Sequence, residues 1–329
     1  MKKLMTAVAA SVCAVSLSGA AFAADEKPAA EADEKPAAEA DEKAAEGFVE
    51  ELHNTIEAGF DLDFFSAYVW RNAVQNDEPV IQPCVWADLV RFEPFWLGFS
   101  VWQNYDLTSR RHESLKGGLT ETDYDVHLGA TAWTSEDEDQ SLEFLLGHSW
   151  YVNQQVKSAA REDLKNTGEV SLRADYKNEI VNVYGLVAWM YDDFGAYKQS
   201  LHYEIGLNKE VDLASVIDIP EETLSLGADW NVNFGDSRYL YYLYSGVDYQ
   251  EDEFGEETWS NPDAGIGGTT VKAYLTWKIT DWVSLVGTIA YTGVLNGSAR
   301  QELANGAAWQ GDCYRRDLLW GGASLKFEF

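Results

Sequence analysis

From residue 55 to residue 329 the chain repeatedly alternates apolar and polar residues, and nothing beyond residue 24 supplies the roughly 18 to 20 uninterrupted apolar residues of a spanning helix. Ile56, Ala58, Phe60, Leu62 and Phe64 alternate with Glu57, Gly59, Asp61 and Asp63. The same period returns at Val126 to Ala132, Leu224 to Asn231 and Val271 to Lys278. A period of two sends successive side chains to opposite faces of a strand. A bilayer admits only helices or closed barrels, because every backbone polar group must be paired within the protein. A soluble antiparallel sandwich alternates in much the same way, so the pattern alone leaves both folds open.

Segment spacing favours the barrel. Candidate strands begin near Thr55, Val80, Phe95, Thr122, Leu142, Glu169, Ile180, Lys198, Thr223, Thr269, Trp282 and Asp317. Some connections are short, as at Glu93-Pro94, Lys177-Asn178 and Thr280-Asp281, and others are long and polar, as at 106–121, 152–168 and 235–268. Short turns at one end and long loops at the other characterise outer-membrane barrels. In the last segment Leu319, Gly321, Ala323, Leu325, Phe327 and Phe329 share a face. An ending of this kind resembles the signal read by the outer-membrane assembly machinery, with Phe327 and Phe329 as its aromatic residues. Trp70, Trp102, Trp133, Trp150, Trp189, Trp277 and Trp282 fall near strand ends, where aromatic girdles belong. Aromatic residues make up 13% of the chain, yet its mean hydropathy is -0.29, as expected when one wall meets lipid and the other water. The expected fold is all-β, a transmembrane antiparallel up-and-down barrel of about 12 strands. Tyr239 to Tyr249 would raise the count to about 14.

Three regions are expected. Residues 1–23 read as a cleavable signal peptide, with Lys2 and Lys3 before an apolar run and Ala21-Phe22-Ala23 at the cleavage site. Residues 24–54 read as a disordered acidic tether, since Asp-Glu-Lys-Pro-Ala-Ala-Glu-Ala begins at Asp25 and again at Asp33 without bulky apolar residues. It is either a solvated spacer or a contact to the cell wall or a periplasmic partner. Residues 55–329 are the barrel, located in the bacterial outer membrane. With 24 basic residues against 55 acidic ones, the chain lacks the basic patch that nucleic acid requires.

Ser66-Ala67-Tyr68-Val69-Trp70-Arg71, followed by Pro79-Val80-Ile81-Gln82-Pro83, resembles the opening of the TorF-type outer-membrane porin family. Those proteins show a glycine where this chain has Asn72. The specific likeness covers the first two strands, and it implies a channel-forming or transport barrel.

If the alternation holds, Glu57, Asp61, Asp63, Asp88, Asp125, Glu143, Asp175, Glu204 and Asp229 face the lumen with His127 and His202, opposed by Arg173, Lys272, Lys278 and Lys326. Fixed negative charge in a narrow aqueous pore concentrates cations. The expected function is passive diffusion of small polar solutes with a cation preference. The competing expectation is a non-conducting barrel, plugged by aromatic side chains or by the long fifth loop, with an adhesive or structural role. Trp86, Trp96, Trp102 and Trp320 fall on the inward set and support it. A third reading, a secreted carbohydrate-binding sandwich, would differ by being soluble without detergent.

His127 with Asp125 and His202 with Glu204 share lumen faces, and each reads as a wall hydrogen bond rather than a catalytic dyad. No nucleophile motif, phosphate loop, metal motif or cofactor motif accompanies them, so neither an enzyme activity nor a cofactor is expected. Arg71, Arg110 and Arg111 are candidates to meet lipopolysaccharide phosphates at the outer rim. The other expected partners are outer-membrane lipids, the barrel-assembly machinery and small polar solutes or cations, with homo-oligomerisation left open. Closing the barrel pairs its last strand with its first, which brings Cys84 and Cys313 within a strand or two and makes them a disulfide candidate.

Overall fold

The computed structural model describes residues 56–329 apart from 93, 109–117, 154–165, 192–198, 218, 221, 246–262, 302 and 304–314. The expected signal peptide (1–23) and acidic tether (24–54) therefore lie outside the described residues.

Among the described residues fourteen strands form in order: β1 (Glu57–Phe65), β2 (Tyr68–Trp70), β3 (Ala73–Asn76), β4 (Val80–Phe92), β5 (Phe95–Asp106), β6 (Gly118–Thr134) and β7 (Ser141–Asn153). They continue with β8 (Asn166–Lys177), β9 (Asn182–Tyr191), β10 (Ser200–Asp212), β11 (Leu224–Gly235), β12 (Gly265–Thr280), β13 (Val283–Val294) and β14 (Asp317–Glu328). Twelve of them close into an antiparallel barrel in the ring order β1-β14-β13-β12-β11-β10-β9-β8-β7-β6-β5-β4. Each expected strand corresponds to one stave. The remaining two, β2 and β3, pair only with each other, inside the connection between β1 and β4. The seam closes where Phe60, Leu62 and Phe64 of β1 stand opposite Phe327, Leu325 and Ala323 of β14. Phe329 completes it, its N–H donating to the carbonyl of Ala58 at 2.8 Å.

The two extra strands expected over Tyr239 to Tyr249 do not form in the described part of that segment, 246–249 lying outside the described residues. Ser237–Ser245 is instead a helix, α1. Asp236 caps it, its carboxylate accepting from the N–H of Tyr239 at 2.8 Å and its carbonyl from that of Leu240 at 3.1 Å. Tyr239, Leu240, Leu243 and Tyr244 are all buried, and their 3–4 residue spacing is a helical stripe. The aromatic residues have strand propensity, but the cap and the stripe decide the outcome.

The connections at one end are 93–94, 135–140, 178–181, 213–223 and 281–282, four of the five being only two to six residues long. In outer-membrane barrels the short turns are periplasmic, and both chain ends of the barrel lie on that side here. The outer wall carries Leu62, Val85, Val126, Leu146, Leu172, Ile205, Val271 and Ile289, each more than a third exposed and so in lipid. Trp150, Trp189, Tyr203 and Tyr291 stand exposed toward the loop end, and Trp133, Tyr176, Trp277 and Trp282 toward the turn end. These are the two girdles. Trp70 and Trp102 do not join them: the ring of Trp70 meets Tyr151 at 5.5 Å and Trp102 meets Tyr68 at 5.4 Å, both inside the barrel.

Candidate functional site

The interior is built around the β2–β3 hairpin. Its two tip residues, Arg71 and Asn72, have φ of 49° and 64°. Positive φ at both central residues defines the type I′ turn, which favours glycine and asparagine. Asn72 therefore satisfies the backbone at the position where the resembling porins carry glycine. From the gap between β1 and β4 the hairpin runs inward. Tyr68 donates to Glu121 of β6 at 2.9 Å. Arg71 pairs with Glu169 of β8, donates to the Tyr151 hydroxyl of β7 at 3.4 Å and meets Nδ1 of His202 on β10 at 3.1 Å. Asn72 donates to the carbonyl of Gly268 on β12 at 3.3 Å, and Asn233 of β11 donates to the carbonyl of Arg71.

In the ring order β9 and β10 lie diametrically opposite the seat of the hairpin. The hairpin thus crosses the whole lumen. The wall residues that meet Arg71 and Asn72 lie two or three positions below the loop-side ends of their strands, within about 10 Å of those ends. An arginine can only donate, so Nδ1 of His202 accepts and the proton of the neutral ring sits on Nε2. Tyr239 of α1 stacks on that ring at 4.7 Å. Beside the hairpin, Ala73, Tyr151, Met190, Tyr239, Leu240, Leu243, Tyr244, Val294, Ala299 and Leu303 form a buried cluster with Trp70 packed against it. Fully burying a large apolar side chain is worth about 1.5–3 kcal/mol, so this cluster holds the hairpin in place.

Below this level the inner wall is wetter. His202 and Glu169 are 0% and 3% exposed, whereas the side chains of His127, Lys272 and Arg173 are 29%, 34% and 37% exposed. Most of the sequence-nominated residues lie here, the acids beside bases or hydroxyls. Glu57, Asp61 and Asp63 share the inner face of β1, with Asp61 opposite Lys326 in register. Asp88 faces His127 at 3.5 Å, and Asp125 accepts from Ser100 at 3.0 Å. Glu143 pairs with Lys177 at 2.8 Å, and Asp229 with Lys272 at 2.9 Å. Arg173 grips Asp175 with two hydrogen bonds of 2.6 and 2.8 Å and caps the ring of Tyr184 at 4.0 Å. Tyr184 in turn donates to Glu204 at 2.6 Å, and Lys278 meets Glu222 of the adjoining turn at 3.3 Å. Two pairings differ from the sequence reading. His127 turns to Asp88 across the strands instead of Asp125 along its own, and the closest polar partner of His202 is Arg71, with Glu204 at 3.9 Å.

Arg71, nominated for lipopolysaccharide at the outer rim, is instead enclosed in the lumen, while Arg110 and Arg111 lie outside the described residues. Cys84 is a free thiol at mid-wall, paired in register with Asp61 and Trp102, and lower than the sequence suggested. Cys313 lies outside the described residues. Phe327 faces outward beside Phe60 and Trp282, at centroid distances of 6.0 and 6.2 Å, and Phe329 is exposed. Sequence reasoning missed Glu169, Glu121, Asn233 and the hairpin itself. A signal was present: Val69, Trp70, Ala73 and Val74 are apolar residues in what would otherwise be an exposed loop.

Several solved structures overlap this barrel. The outer membrane phospholipase A from Escherichia coli does so with a TM-score of 0.41 and 10% identity, over 82% of this chain and 95% of that one. An outer membrane channel from Pseudomonas putida F1 scores 0.43 at 12% identity, over 84% and 95%. The KdgM porin scores 0.40 at 9% identity, over 83% and 99%. The strand register, not these overlaps, gives the fold. No curated protein matches the sequence. The pattern that defines the MltA-interacting protein MipA family matches residues 87–301, well over half of the chain, with nine of its twelve staves, β5 to β13, in full. The chain is an outer-membrane β-barrel belonging to the MltA-interacting protein MipA family.

Proposed function

We propose that this barrel is closed toward the outside and serves as an envelope anchor that holds a partner on its periplasmic side. The observation that carries this reading is the reach of Arg71 to Glu169 and His202, a charged hairpin tip locked against the far wall. Solute passage requires that lock to open. The family's name records an interaction with MltA, and a periplasmic partner of that kind is proposed for this chain. The acidic segment 24–54 would extend the anchor's reach. No catalytic role is proposed, since the two histidines on the inner wall are occupied by Asp88 and Arg71. The test is single-channel conductance of refolded protein in a planar bilayer with a salt gradient. Wild type is expected to insert silently, and a variant with residues 67–78 replaced by a Gly-Ser linker is expected to conduct. Stable steps from wild type would overturn the closed-anchor reading.

A second reading is favoured by the acids of the lower wall and by the TorF-type resemblance of the hairpin. In it the hairpin is a gate, and the open barrel passes small polar solutes by passive diffusion with a cation preference. Wild-type steps whose reversal potential favours cations would support it.

A further inference from the structure

Below the hairpin, the inner faces of β1, β4, β5 and β6 carry rings laid over glycines. Trp96 crosses Gly129 so closely that a Cβ on that glycine would sit 2.0 Å from Cε2 and 2.2 Å from Cζ2. Trp86 covers Gly59 in the same way, with Cε2 and Cζ2 both 2.5 Å from the would-be Cβ. Over Gly98, Nε2 of His127 would come to 2.2 Å and Oδ1 of Asp88 to 2.5 Å. No other residue allows these approaches. The side chains therefore lie along the wall.

Around them stand carboxylates: Asp88 beside His127, Asp125 beside Ser100, and Glu57 opposite Asp88 in register. Other inward rings laid over glycines have partners on the wall, as Tyr274 over Gly227 has in Glu210 at 3.5 Å. Tyr184 is such a ring: it lies over Gly206, is capped by Arg173 at 4.0 Å and is 7% exposed. Trp86 and Trp96 are not buried, and the His127 side chain is 29% exposed. A twelve-strand barrel is also wider than the eight-strand barrels that side chains just fill.

We propose that Trp86, Trp96, Asp88, Asp125 and His127 form a binding site for a neutral saccharide chain entering from the turn side. The C–H face of a sugar stacks on an indole, and its hydroxyls donate to carboxylate oxygens. Charge selects among sugars. Asp61, Asp63 and Glu57 on the adjoining strand, with Asp88 and Asp125, outnumber Lys326 opposite and Arg91, the register partner of Trp96, so the surroundings are negative on balance and repel uronic acids and phosphorylated sugars. The site rests on the closed-anchor reading only in that its ligand is held rather than passed.

Isothermal titration calorimetry on the detergent-solubilised full chain tests it, with maltohexaose and tetra-N-acetylglucosamine as neutral probes and hexagalacturonate as the anionic control. One neutral probe is expected to bind, with affinity lowered about tenfold by Trp96→Ala or Trp86→Ala, one lost stacking contact's worth. Asp125→Asn, which keeps the wall's shape, is expected to weaken binding too, and heat-modifiable gel mobility reports whether each variant is folded. The proposal is overturned if neither neutral probe binds at concentrations of about 10 mM. It is also overturned if hexagalacturonate binds as well as they do, or if the folded variants bind like wild type. Equilibrium binding in detergent does not depend on conductance, so this result and the bilayer result stand apart.

Discussion

Truncating Arg71 should unseat the hairpin. Arg71 and Glu169 form a pair whose side chains are 12% and 3% exposed. Removing one member of such a pair leaves the other buried without its counter-charge, which costs about 3–5 kcal/mol. The same truncation removes the hydrogen bonds to Tyr151 and His202. Each 1.4 kcal/mol is tenfold, so the ratio of seated to unseated hairpin should fall by roughly a hundredfold to a few thousandfold. Trp70 and Ala73 still pack against the buried cluster, so the expected behaviour is intermittent opening, not a permanently open barrel. In planar bilayers Arg71→Ala should give brief conductance steps where wild type gives none. Replacing both partners, Arg71→Met with Glu169→Met, exchanges the pair for apolar volume and should restore silence. Silence from a folded Arg71→Ala, with an unfolding midpoint equal to that of wild type, would refute the argument that this pair holds the tip.

Asn72→Gly should melt within about 0.5 kcal/mol of wild type, while Asn72→Val should lose about 1–3 kcal/mol, because φ is 64° there and a β-branched residue resists it; thermal unfolding in detergent reads both. Gly129→Val should sharply reduce the yield of heat-modifiable folded barrel, since its side chain would begin 2.0 Å from Trp96. Paired with Trp96→Ala, the same substitution should recover much of that yield. In the hairpin-replaced variant, Asp61→Asn with Asp63→Asn should move the reversal potential toward zero; an unchanged value would dissociate these carboxylates from selectivity.

The staves were readable because lipid imposes apolar residues on every second position, and Phe60 through Phe64 or Val271 through Trp277 keep that rule without exception. The inside was less readable. Its organising contacts join residues far apart in the chain, Arg71 to Glu169 across 98 positions and to His202 across 131, and a period of two says only that a side chain points inward. Nothing in the register assigns His127 to Asp88 rather than to Asp125; Gly98 does, by leaving room for both. The helix at Ser237–Ser245 was misread because four tyrosines and two leucines resemble strand, and only the Asp236 cap and the 239/240/243/244 stripe distinguish it.

The route of the hairpin also orders events during folding. It emerges between the first stave and the second; Glu121 and Tyr151 follow 53 and 80 residues later, but the other groups that receive it, on β8, β10, β11 and β12, are synthesised more than ninety residues later. Contacts of such separation form late, because a long loop must close before they contribute anything. A barrel stalled short of β8 would carry an arginine without its counter-charge on Glu169. Seating the hairpin therefore registers that the far wall is complete, and a protease that cuts near Arg71 would separate unfinished barrels from finished ones.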